Sequence, residues 1–268
     1  APRVEEYSGD STSLNFPNIL KPNKLAGSRG VFFNRDEKEF KLNLKRIRSN
    51  YPEAQILLEE YIGGVQLSTE HVILDGVVRT FGLALRDYES TEWLLPYIIE
   101  NGGIQCHPSA ICHLSVVEEI VKSLVDILSV KNAVLKFDLI IKDNQVFILE
   151  MATRMSGGDF ASSIIPESLG FNYIKTVIGS FLGIISDQVE LESRRITLDG
   201  KYTNVANRYL IPSVKTVFNK IIWPKEKYLK TEIFLKKGET YSLPTNHAER
   251  LGIFVLADDD VTRLEERI

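Results

Sequence analysis

Apolar residues recur along the chain with two different periods, one of two residues and one close to four. FPNILKP (Phe16 to Pro22) and VFFN are short extended runs, separated by the polar loop NKLAGSRG in which Gly27 and Gly30 mark a turn. Residues 36–50 place Phe40, Leu44 and Ile47 at helical spacing, with Lys38, Lys41, Lys45, Arg46 and Arg48 mostly elsewhere on the cylinder. A helix with a solvated basic face is expected there. AQILLEEYIGG reads as a strand running into a turn, and QLSTEHVIL and VVRTFGLALRD as two strands joined at Asp75-Gly76. Ser115 and Glu118 have the spacing of a capping box, which predicts a helix reaching about Val130. GFNYIKTVIGSFLG (Gly170 to Gly183) predicts another.

From about Arg194 the runs shorten. VANRYLIP, TVFNKIIW, TEIFLKK and ERLGIFVLA, broken by Pro and Gly, predict a compact β-rich appendage closed by a helix from Val261. A boundary near 190–200 follows. Strands and helices mix without a regular βαβ alternation, so the expected class is α+β.

One stretch, LKFDLIIKDNQVFILEMATRMSGG (Leu135 to Gly158), carries a carboxylate in each of two apolar strands. Odd positions Leu135, Phe137, Leu139, Ile141, Phe147, Leu149 and Met151 are apolar, while Lys136, Asp138, Glu150 and Arg154 are even. A three-residue loop centred on Asn144 sets Asp138 opposite Glu150, whereas a two-residue loop drives Glu150 among core side chains. Facing carboxylates repel unless a cation lies between them. Two sources of cation fit: Mg²⁺ or Mn²⁺, which take hard oxygen ligands, or Lys136 and Arg154 as ion-pair partners on a half-exposed face. Parity leaves both open.

If a metal carries phosphates, the chain should also offer a phosphate cradle. Lys21, at the end of the first strand, supplies a point charge, and AGSRG can turn successive backbone N–H groups toward one anion, or simply form a turn. EEYIGG has the form of a hinge whose backbone pairs with an adenine edge, or of an edge strand with exposed acids.

Composition narrows the partners. The 268 residues are 44% hydrophobic, enough for a substantial core. With 32 basic and 36 acidic residues, a net charge of -4 and no long single-sign block, there is no electrostatic footprint for nucleic acid or an anionic membrane. No apolar run approaches the roughly 18 residues that span a bilayer, and APRVEEYSGD lacks a signal-peptide core, so a cytoplasmic location is expected. Cys106 and Cys112 are expected to be reduced. Their stretch, QCHPSAICH, lacks finger spacing, which favours packing and loop structure over zinc.

These pieces, in this order, resemble the ATP-grasp superfamily and, within it, the carbamoyl-phosphate-synthetase-like branch of carboxylate-amine ligases. RDYESTEWLLPYIIENGGIQCHPS, LKFD, LEMATRMSGGDF and NHAERLG carry the resemblance across most of the chain. It implies an α+β ATP-grasp fold in which two α+β subdomains clasp ATP. Residues 1–193 would form the grasp, with a lid at about 15–62, and residues 194–268 a small β-rich C-terminal subdomain. ATP and Mg²⁺ or Mn²⁺ are the implied cofactors.

The resemblance also assigns roles. Lys21 corresponds to the lysine that contacts phosphate and adenine, and Ser28, Arg29 and Gly30 to a loop closing over the terminal phosphates. Glu59, with the backbone of Glu60, Tyr61 and Ile62, stands at the adenine hinge, Gln66 at the ribose, and Ile140 under the base. Asp138 and Glu150 take the metal positions, and Arg154 that of the catalytic arginine steadying the acyl-phosphate. Glu70, Arg86, His107, Ser156, Gly157 and Gly158 are candidates for a substrate wall. Ala152 departs from the pattern, because many members have Asn there. Members also carry a preceding α/β domain of about one hundred residues, an ordinary domain size, which is expected to be supplied in cis or in trans. The implied activity is ATP-dependent activation of a carboxylate as an acyl-phosphate for attack by an amine or similar nucleophile. The alternative is a non-catalytic ATP-binding or regulatory module.

Overall fold

The computed structural model describes residues 1–8 and 14–268. Strands β1 (Val4–Glu6), β2 (Asn18–Pro22), β3 (Phe32–Asn34) and β4 (Ile56–Glu60) form a sheet in the order β1-β4-β2-β3, with helix α1 (Glu37–Asn50) packed on it. Alternation in the strands and the helical period meet in one small core: Leu20, Phe32, Ile56 and Leu58 against Phe40 and Ile47. Asp36 starts the helix by accepting the Glu39 N–H at 2.9 Å. Lys38, Lys41, Lys45 and Arg48 are exposed, as expected of a solvated face. The strand residues that alternate with the core, Ile19, Lys21, Leu57 and Glu59, lie on the sheet's other face.

The second sheet is built from β5 (Val65–Leu74), β6 (Val77–Arg86), β7 (Gly103–Gln105), β8 (Ala133–Lys142), β9 (Gln145–Ala152), β10 (Asn204–Leu210), β12 (Lys230–Ile233) and β14 (Gly252–Asp258). β11 (Thr216–Val217) and β13 (Thr240–Tyr241) pair separately. The eight strands run β12-β14-β10-β7-β6-β5-β8-β9, each antiparallel to its neighbour. Strands from beyond residue 194 thus extend the same sheet through β7. Helices α2 (Pro108–Ile111), α3 (Leu114–Ile127), α4 (Ile165–Leu169), α5 (Tyr173–Phe181) and α6 (Ile185–Arg194) follow one another around it, and α7 (Val261–Arg267) packs on β10 and β14. Leu114, Val117, Val121 and Val125 of α3 join Leu67, Leu83, Phe137 and Leu139 in the main core. No helix among the described residues is long and apolar enough to cross a membrane.

Local chemistry departs from the sequence pattern in a few places. The Asp75-Gly76 turn forms as expected, with φ of 53° and 79°. The capping box at Ser115 does not: α3 begins at Leu114, so Ser115 lies inside it, and Glu118 instead accepts the Thr80 hydroxyl at 2.7 Å. A buried hydroxyl on β6 needed an acceptor, and Glu118 lies within its reach. Only Thr216 and Val217 of TVFNKIIW form a strand, and Ile222 is exposed. Helix α6 and strand β1 were not expected; α6 buries only Leu191, which is too little periodicity to read.

Candidate active site

The β8–β9 hairpin brings the two carboxylates together, but not through the expected loop. Asp143 and Asn144, at φ 49° and 59°, form a two-residue turn with Lys142 opposite Gln145. Asp and Asn tolerate the left-handed region, and such a turn matches the twist of the flanking strands. Val146 and Ile148 therefore pack toward the main core, displacing the expected Phe147, Leu149 and Met151. A bulge between Asp138 and Leu139 takes up one residue of β9 and returns Glu150 to a position opposite Asp138.

Asp138 is held from two sides. Ser68 on β5 donates to Oδ1 at 2.7 Å, and Lys136 donates to Oδ2 while its Nζ stands 4.0 Å from Glu150 Oε1. The ammonium is the cation between the carboxylates. Arg154, the other candidate, is exposed and donates to the Met155 carbonyl at 3.2 Å. Among the described residues no three His, Cys, Asp or Glu side chains converge as a metal cage. Two facing carboxylates, 34% and 56% exposed, still suit Mg²⁺, which usually takes one or two carboxylates and completes its shell with phosphate and water. The donor set fits that ion.

Next along the same face, Gln66 on β5 is opposite the buried Ile140 on β8. Gly64, between the two sheets, has no room for a side chain, because a Cβ would strike the Ile141 carbonyl. On the first sheet Lys21 Nζ pairs with Glu59 Oε1 at 2.7 Å, so both expected polar residues share one face. The Glu60 N–H is taken by the Arg3 carbonyl at 2.9 Å, Tyr61 packs edge-on to Phe33 with centroids 4.8 Å apart, and Ile62 is buried. The glycine loop is tied down at two points. Gly27 accepts the His247 N–H at 2.9 Å and the Ser28 hydroxyl donates to the Ile98 carbonyl, while Arg29 is exposed.

Two buried polar groups flank the carboxylate pair. Arg86 is ion-paired with Glu100, whose charge burial opposes; Arg86 and Arg250 outweigh that and hold its carboxyl below the ordinary value. Arg250 stacks on Tyr209, 3.3 Å from the ring centroid, and donates to the carbonyls of His247 and Glu100 at 2.7 and 3.0 Å. Burial pushes His247 down to about 4. On the other side, Glu70 is buried and its pKa is raised by that burial, although it accepts the Ser156 N–H at 2.6 Å. Glu70 Oε1, Ser156 Oγ and Tyr173 OH are buried together, and the two hydroxyls favour the Glu70 carboxylate without offsetting its burial. Gly157 and Gly158 are exposed beside them.

His107 is brought elsewhere. Its Nδ1 accepts the Ser109 N–H at 3.0 Å to start α2, and its Nε2 lies 3.1 Å from Glu265 on α7. Cys106 is buried against Ser168 and Cys112 is exposed at the end of α2. A cleft of about 1220 Å³ opens beside the hinge, taking Tyr61, Gln66 and Arg86 of the expected residues together with Phe33, Tyr88 and Trp93.

No family model matches the chain. It is 25% identical over 178 residues to a D-alanine–D-alanine ligase of Petrotoga mobilis, covering 62% of this chain and 56% of that protein. Its fold superposes on the crystal structure of an L-amino acid ligase from Bacillus licheniformis with a TM-score of 0.77 at 19% identity, over 99% of this chain and 64% of the other. The biotin carboxylase domain of a Hydrogenobacter thermophilus 2-oxoglutarate carboxylase, in complex with MgADP, ADP and bicarbonate, gives a TM-score of 0.57 at 17% identity, over 94% of this chain and 56% of the other. The chain has the ATP-grasp fold. It spans a little over half of the D-alanine–D-alanine ligase and less than two thirds of each of these two solved chains.

Some residues of this ATP-grasp chain escaped the sequence pattern, although Lys136, which shares parity with Asp138, was among its candidate ion-pair partners. Ser68 becomes a neighbour of Asp138 only through the β5–β8 register. Glu100 and Arg250 are 150 positions apart, and NHAERLG marked Arg250 without giving it a role.

Proposed function

We propose that the chain binds ATP with Mg²⁺ or Mn²⁺ and activates a carboxylate as an acyl-phosphate, which an amine or similar nucleophile then attacks with loss of phosphate. The observation that carries this reading is the facing pair of Asp138 and Glu150, partly exposed and set on one sheet face with Gln66 and Ile140. Asp138 and Glu150 would hold the metal, which when bound screens phosphate charge during transfer. Ala152 offers no ligand, so the remaining positions fall to phosphate and water. Lys21 and the N–H groups of Ser28, Arg29 and Gly30 bind phosphate, which requires Lys21 to exchange Glu59 for an anion. The main chain from Glu60 to Ile62 meets the base edge, Ile140 lies under the base and Gln66 meets the ribose. Arg154, which is exposed, steadies the acyl-phosphate.

The relatives that carry MgADP or are named as amino acid ligases support the cofactors and the carboxylate and amine substrates. Glu70, Ser156, Gly157 and Gly158 form one side of the substrate wall and Arg86 the other. His107 is not part of it, because its ring is used by α2 and α7. In this reading residues 1–193 grasp the nucleotide, with 15–62 as lid, and 194–268 form an appended region. Calorimetry with Mg²⁺ and an ATP analogue, then phosphate release with a panel of amino acids, tests it. Binding without release under any acid and amine pair, with the preceding domain supplied in cis or in trans, would favour a regulatory ATP-binding module.

A further inference from the structure

Lys136 has a position that neither strand pairing nor core packing requires. Its Cα lies opposite Glu70 on β5 and Ala152 on β9, two residues from Asp138. A lysine on a sheet face ordinarily extends its head to water. Here the side chain is 13% exposed, and the ammonium is turned onto Asp138 Oδ2 and stands 4.0 Å from Glu150 Oε1. Among the described residues its ion pairs are with Asp138 and Glu150 and not with Glu70, whose Oε2 accepts the Ser156 N–H. The ammonium stands where a cation bridging the two carboxylates would stand.

Building on the metal and nucleotide reading above, we propose that Lys136 is a resident counter-ion that makes metal and nucleotide bind together rather than separately. Two carboxylates and one ammonium sum to a single negative charge; adding a divalent ion reverses it to a single positive charge. Metal alone must therefore displace a bonded ammonium and leave it uncompensated, and phosphate alone meets an ammonium already held by Asp138. When both arrive, the metal takes the carboxylates and Lys136 turns to the phosphates. Each ligand removes a cost borne by the other, and the coupling is reciprocal by linkage.

Mn²⁺ titration of the full chain, followed by the electron paramagnetic resonance of the free ion, tests this. It is run with and without adenylyl imidodiphosphate and corrected for the analogue's own Mn²⁺ binding. Wild-type protein should bind Mn²⁺ more tightly with the analogue, by a factor within the roughly 5- to 150-fold range of ordinary coupling. Lys136→Met and Lys136→Gln, confirmed folded by circular dichroism, should bind Mn²⁺ alone about tenfold more tightly than wild type, and the gap between the two conditions should shrink. Unchanged or weaker Mn²⁺ binding without nucleotide in both variants overturns the proposal. Asp138→Asn separates the levels: if it abolishes Mn²⁺ binding while the Lys136 variants behave as wild type, the metal site stands and the coupling role falls. If Asp138→Asn binds as wild type, the metal assignment falls and the Lys136 role with it.

Discussion

Asp138 faces Glu150 because two offsets of one residue cancel. The turn at Asp143 and Asn144 is one residue shorter than an odd-to-odd register needs, and the bulge beyond Leu139 restores the difference. Neither offset alone would leave both carboxylates on one face, since a one-residue slip inverts a strand.

The turn is the more accessible of the two to mutation. Asn144→Gly, at φ 59°, should raise stability by up to about 1 kcal/mol, because glycine adopts the left-handed region without steric cost. Asn144→Val should lower it by about 1 to 2 kcal/mol through the clash of a branched Cβ. Urea unfolding of both variants checks the order.

Asp138→Asn and Glu150→Gln should each remove metal-dependent nucleotide binding, seen by calorimetry, but differ in stability. Asp138 accepts from both Ser68 and Lys136, so its amide should cost about 1 to 2 kcal/mol. Glu150, 56% exposed and 4.0 Å from Lys136, should cost under about 1 kcal/mol. Unaltered Mg²⁺-nucleotide affinity in both variants would remove the metal assignment.

His71 predicts an acid limb in stability. It lies fully buried between Thr69 Oγ1 at 2.8 Å and Thr80 Oγ1 at 3.0 Å. Thr80 donates to Glu118, so His71 Nδ1–H donates to Thr80 and Nε2 accepts from Thr69. Burial holds the ring pKa at about 3, below its unfolded value of about 6.5. The unfolded chain then binds the proton first, so stability is fully present above about pH 6.5 and falls as pH drops toward 3, by up to about 5 kcal/mol. His247, held at about 4, acts in the same direction. Urea midpoints between pH 7 and 4 should fall for wild type and fall less steeply for His71→Asn, which keeps the His247 limb; equal slopes would refute the assignment.

Glu100→Gln should destabilise the fold by about 3 to 5 kcal/mol, because it leaves buried Arg86 without its partner. Arg86→Met should do likewise, and the double variant should cost less than the sum of the two. Thermal unfolding of the three variants checks it; additive losses would mean the two charges do not depend on each other.

By itself the sequence determined most of the elements and the chemistry they carry, though not α6, β1 or the shortness of β11. Apolar runs at 16–22, 54–64 and 135–142, helical spacing at 36–50, and acids placed in apolar strands could be read because each depends on neighbours within a few residues. The motifs resembling ATP-grasp ligases were equally local. Tertiary structure alone decided which cation lies between Asp138 and Glu150, since Lys136 and Arg154 share parity with them and only the bulge and the Ser68 register separate their fates. It also decided that Glu118 serves Thr80 instead of capping a helix, that His107 serves α2 and α7, and that Arg86, Glu100 and Arg250 meet. Most of those pairings join residues from 14 to 158 positions apart, brought together when burial of the strands fixes their register. A buried polar group then takes whichever partner the packed sheet brings within reach.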